Sequence, residues 1–133
     1  MKTNYLVILS LCLCFIMGSC GDSVKNDPVE ITKAVIKCWK KGQFKGTEKF
    51  FMKDAKDVNY DDWQDTYDNP EGKNHGTVKR VQRLVEAEYT LTEQSIEGDR
   101  AIIEYSLKTS SLKSPFKFFL KKVDGKWYLE THN

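Results

Sequence analysis

Acids, histidines, cysteines and one run of aromatic rings are the side chains here whose types and spacing could do chemistry. A general base needs a carboxylate or imidazole whose pKa an apolar cavity has moved toward the working pH. Asp54, Asp57, Asp61, Asp62, Asp65 and Asp68 supply carboxylates, but they share one polar stretch and read as a solvated helix face or loop. His75 falls in a glycine-rich segment and His132 is next to the last residue, where chain ends fray, so both read as surface histidines. Neither has a second histidine, cysteine or acid at a zinc-ligand spacing. Cys38 lies on an apolar stretch with no base in view and reads as a buried small hydrophobe rather than a nucleophile. No catalytic set, metal site or cofactor is therefore expected. The remaining constellation is Tyr60, Trp63 and Tyr67, at helical spacing. Such a stripe either packs on a sheet or lines the mouth of a ligand pocket, where an amphipathic ring stacks on a ligand. Trp127 reads as a core anchor, and Lys79, Arg80 and Arg83, followed by Glu86 and Glu88, as a solvated mixed face.

These side chains are positioned by helices first and strands second. Asp27-Pro28-Val29-Glu30 has the form of a helix start, with an acid at the cap and proline at the first helical position. Ile31, Ala34, Val35 and Cys38 then recur on one helical face, and Gly42 is the stop. A second short helix is predicted over 47–53, carrying Phe50 and Phe51, and a third over 59–69. The segment 69–76 is dense in turn formers and reads as a loop, and 78–85 is ambiguous between a helical turn and a strand entry. From residue 86 the period becomes two. Ala87, Tyr89 and Leu91, and then Ala101, Ile103, Tyr105 and Leu107, form a predicted hairpin about Glu97-Gly98-Asp99. Residues 109–115 make the next connection, before Phe116, Phe118 and Leu120. Asp124-Gly125 is the strongest hairpin signal, because that pair tolerates the positive φ angles of a type I′ turn, and Trp127 and Leu129 follow it. The pattern is α+β: helices covering one face of an antiparallel sheet of about four strands.

The beginning of the chain follows different rules. Lys2 precedes an uncharged run, 5–17, that rises only about 20 Å as a helix, too short to span a bilayer and suited to a targeting peptide. Ile16-Met17-Gly18-Ser19-Cys20 resembles the lipobox of bacterial lipoproteins, apart from Met17, where that family most often has leucine. The resemblance implies removal of residues 1–19 as a signal peptide, a diacylglyceryl group on the Cys20 thiol and an acylated (palmitate-type) new amino terminus. Two or more chains give a lasting membrane anchor. Residues 20–26 then form the lipidated cysteine and a flexible tether, and 27–133 one folded domain. Cys12 and Cys14 would leave with the signal, and with Cys20 alkylated no disulfide partner remains for Cys38. Gly21 after the cysteine, by likeness to lipoprotein sorting, implies the outer membrane of the cell envelope. The 21 basic and 19 acidic residues are interleaved, so no nucleic-acid partner is expected.

With the first helix, the Lys41-Gly42-Gln43-Phe44 turn and the closing Lys122-Val123-Asp124-Gly125-Lys126-Trp127, the domain resembles the nuclear transport factor 2-like (NTF2-like), or cystatin-like, fold. Within it, the likeness is to an uncharacterised group of small bacterial lipoproteins. The resemblance covers about residues 27–131 and implies a cone of helices over a strongly curved sheet, often with a pocket between them. Enzymes of this fold place a carboxylate or histidine base in that pocket beside a tyrosine or acid. The expected function is a non-catalytic, membrane-anchored envelope lipoprotein whose domain binds a small apolar ligand or a partner protein. Its alternatives are an isomerase- or dehydratase-type enzyme using the cone, and a structural or assembly lipoprotein.

Overall fold

The computed structural model describes residues 23–56, 58–110 and 112–132. The expected signal peptide, Cys20 with its lipid, and Asp57 lie outside them. Among the described residues no helix is long and apolar enough to cross a membrane.

Helix α1, Pro28–Lys40, starts at the expected residue for the expected reason. Asp27 is extended, and its Oδ1 accepts from the N–H groups of Val29 and Glu30 at 3.0 and 3.1 Å, satisfying two donors that a helix start leaves without partners. The helix ends where Gly42 takes φ +70° and Lys41 and Gly42 donate back to the Cys38 and Trp39 carbonyls. Its buried face is wider than the predicted stripe. Ile31, Val35 and Cys38 are buried and Ala34 is only half so, while Thr32, Ile36 and Trp39 join them. Cys38 is also disulfide-bonded, not the free thiol expected of it.

The expected helix over 47–53 is instead a 3-10 turn, Lys45–Phe50. Phe51 cannot continue it, because it pairs in extended form with Leu129 and the next N–H, of Met52, donates to the Leu129 carbonyl at 2.8 Å. Helix α2, Tyr60–Asp68, is capped by Asn59, and α3, His75–Glu86, by Asn74. The ambiguous stretch is thus helical, and His75 opens a helix instead of sitting inside a loop.

Four strands, β1 (Glu88–Glu97), β2 (Arg100–Lys108), β3 (Lys113–Val123) and β4 (Lys126–His132), form an antiparallel meander in chain order. Asp124 and Gly125 both have positive φ, as the tight turn between β3 and β4 requires. Pro115, expected in a connection, lies within β3. It is tolerated there because β4 reaches only as far as Phe118, so that end of β3 is an edge. Irregular register between Leu91 and Glu93 and between Phe119 and Leu120 bends the sheet. Its inner face, including Ile103, Tyr105, Leu107, Phe116, Phe118, Leu120 and Leu129, closes on α1 and on Phe44, Phe51, Trp63 and Leu84. Trp39 is the largest fully buried side chain, with ring centroids 5.7 Å from Phe118 and 6.1 Å from both Trp63 and Phe116.

Candidate ligand pocket

Where β4 stops and β3 runs on, the cone is open. A cavity of about 500 Å³ lies there between α3 and the start of β3. Leu84, Leu107, Leu112 and Phe116 give it apolar walls, and Arg80, Arg83, Ser114 and His132 give it polar ones. This is the size and make-up of a small-molecule site: mostly apolar, with a few polar groups to fix orientation.

Three of those polar residues, Arg80, Arg83 and His132, were expected on the surface, and two of them are not fully exposed there. Arg83, placed by its sequence neighbours on a solvated face, is half-buried and donates through its guanidinium to Ser114 Oγ. Its Nε is buried with no hydrogen-bond partner among the described residues, and so is Nε1 of Trp39. A buried donor left without an acceptor is costly, and of the two only Arg83 borders this cavity, where a ligand's acceptor could reach it. His132 does not fray. It pairs with Phe118 across the sheet and sits half-buried in an aromatic cage, stacked on Phe116 at 5.2 Å and 5.3 and 5.4 Å from Trp39 and Trp63. Arg80 is exposed at the rim, and Lys79 is exposed as expected.

The aromatic stripe splits three ways. Trp63 is buried in the core and also lines a second, more polar cavity of about 670 Å³ between α2 and α3, with Asn59, Asp62, Asn74 and Arg80. Tyr60 is half-buried against Phe51, its hydroxyl pKa pushed up by burial and then by the charge of Glu48. Tyr67 is largely exposed and lies over Gly42 beside Phe44. Of the acids, Asp54 and Asp68 are exposed, Asp61 pairs with Lys45 at 3.2 Å, and Asp65 pairs with Lys73. The Lys73 hydrogen bond, then that of Asn69, holds the Asp65 carboxyl below its ordinary range. Among the described acids of this group only Asp62 is half-buried at a cavity wall, and that cavity is the polar one.

A base beside a free tyrosine is not assembled around the Arg83 pocket among the described residues. Tyr105 shares a 2.8 Å hydrogen bond with Thr32 Oγ1, and the Tyr89 hydroxyl donates to the Leu84 carbonyl at 2.7 Å. No group of three His, Cys, Asp or Glu side chains among them could hold a metal ion.

No family model matches the chain. No curated protein matches it either. Solved structures do resemble it. One is an NTF2-like protein of unknown function from Shewanella baltica, 20% identical over 78% of this chain and 86% of that one, with a TM-score of 0.52. A SEC-C motif containing protein from Rhodopseudomonas palustris is 11% identical over 81% and 78%, at 0.50. An NTF2-like protein of unknown function from Shewanella oneidensis is 14% identical over 78% and 92%, at 0.49. At such identities the likeness is one of fold: an α+β, NTF2-like cone.

Proposed function

We propose that this chain is an envelope lipoprotein, anchored through lipid on Cys20 at the outer membrane, whose NTF2-like cone holds a small apolar ligand without transforming it. The observation that carries the reading is the composition of the cone mouth. Leucines and a phenylalanine make the walls, and Arg83 presents a buried N–H that lacks an acceptor among the described residues. A ligand with an apolar body and one anionic or carbonyl group suits it. The side chains around this pocket supply recognition, while both nearby tyrosine hydroxyls are already committed within the fold. The anchor rests on the order charged start, uncharged run, small residues and cysteine in residues 1–20.

Native mass spectrometry of the full protein, extracted from its host membrane in a neutral detergent, tests the reading. The expected result is a dissociable small mass on the protein, lost in the variant Ser114→Trp, whose indole would fill the pocket. An unchanged set of bound masses in that variant overturns the assignment of the pocket. A bound protein in its place moves the function to assembly.

A further inference from the structure

A second groove, lined by other residues than the Arg83 pocket, has a different chemistry. It runs between α1 and the first half of β1, with a volume of about 440 Å³. Ile36, Tyr89, Leu91 and Tyr105 make its floor. Every charged residue on its wall is a lysine: Lys33, Lys37, Lys40 and Lys41. Their spacing of four, three and one residues puts Lys33, Lys37 and Lys40 on one stripe of α1 and Lys41 at its C-terminal cap, over about 12 Å in all.

The fold creates this groove by leaving β1 uncovered. Leu91 is directly opposite Tyr105, and directly paired residues of an antiparallel sheet project to the same face. Tyr105 is buried under α1, whereas Leu91, one strand further out, is 37% exposed. Two of the lysines are part of the wall. Lys40 Nζ donates to the Ala87 carbonyl at 2.6 Å and stands 5.8 Å from the centre of the Tyr89 ring. Lys33 is 3.7 Å from Glu30. Lys37 and Lys41 have no ion pair or side-chain hydrogen bond among the described residues, and they rim the groove with their charge available.

An apolar floor beside a wall whose charges are all lysine matches a molecule with the inverse pattern. We infer that this groove binds a single-chain anionic amphiphile of the fatty-acid type, its hydrocarbon on Leu91 and Tyr89 and its carboxylate toward Lys37 and Lys41. Its volume is that of a small-molecule site. A four-residue floor is much smaller than the roughly 20–30 residues a side of a stable protein interface. The site is separate from the cone pocket and does not depend on lipidation of Cys20.

Photocrosslinking tests it, using diazirine-labelled dodecanoic acid and the full protein in neutral detergent, with cross-links mapped by peptide mass spectrometry. Cross-links are expected in the peptides carrying Lys37, Tyr89 and Leu91. Lys37→Glu with Lys41→Glu should lower their yield about tenfold, since each exposed charge contact contributes modestly and reversal turns attraction into repulsion. Both lysines are exposed, so the fold is unaffected, and Ser114→Trp should leave the yield unchanged. An excess of unlabelled dodecanoate should compete, and its methyl ester should compete far less. Equal competition by acid and ester overturns the inference, as does labelling confined to the cone peptides. Competition by phosphatidylglycerol bicelles but not by dodecanoate assigns the groove to a bilayer surface and overturns the single-chain assignment.

Discussion

Replacing Gly42 by alanine separates a structural from a ligand-lining role for Tyr67. Gly42 has φ +70°, and a Cβ built on it would fall 2.1 Å from Tyr67 Cε1 and 2.3 Å from Cζ. Two costs are therefore expected. The left-handed backbone costs alanine about 1–2 kcal/mol whatever surrounds it. Displacing the Tyr67 ring also breaks its contact with Phe44, centroid distance 6.1 Å, a type of pair worth roughly 0.5–1.5 kcal/mol. Gly42→Ala should thus destabilise by about 2–3 kcal/mol in the wild-type background, but by only about 1–2 kcal/mol when Tyr67 is already alanine. Urea unfolding of the four proteins of this cycle measures the difference, read as shifts in midpoint at constant slope. Equal losses in the two backgrounds would refute the packing of Tyr67 over Gly42, and would return that ring to the set able to line a ligand site.

Asp27→Ala should cost about 1 kcal/mol by the same assay, because two N–H groups of α1 lose their acceptor, and no measurable loss would contradict the cap. Burial raises the hydroxyl pKa of Tyr60, Tyr89 and Tyr105 above the ordinary value of 10.0, so the unfolded chain ionises first. The stability these groups carry is complete below pH 10.0 and falls as pH rises toward the folded values. A tyrosinate absorbance titration should show a late phase coincident with unfolding; complete ionisation near 10.0 in a still-folded protein would be inconsistent with this.

What was legible along the chain was what neighbours in sequence decide. Asp27 before Pro28 caps α1, Asp124-Gly125 supplies two positive φ angles in a row, and alternation from Ala101 to Leu107 marks an inward face. All of these rest on contacts within a few residues. The misread residues are those whose state is decided from far away. Phe51 leaves its helix because Leu129 offers it a strand partner. Arg83 has a surface residue's composition around it, yet Ser114, in another element, holds its guanidinium. His132 is held at the chain end by Phe118 and by rings from α1, α2 and β3. Trp39 was the one signal within reach, since it stands four residues after Val35 on a face already recognised as apolar.

The proposal that a lipid-moored cone carries a small ligand meets its most direct test in one spectrum, that of the intact protein released under native conditions from its own membrane. The account predicts a chain that begins at Cys20, heavier by a diacylglyceryl and an acyl group, with a further mass that leaves on mild activation. An unmodified chain still bearing residues 1–19, with nothing bound, would contradict it.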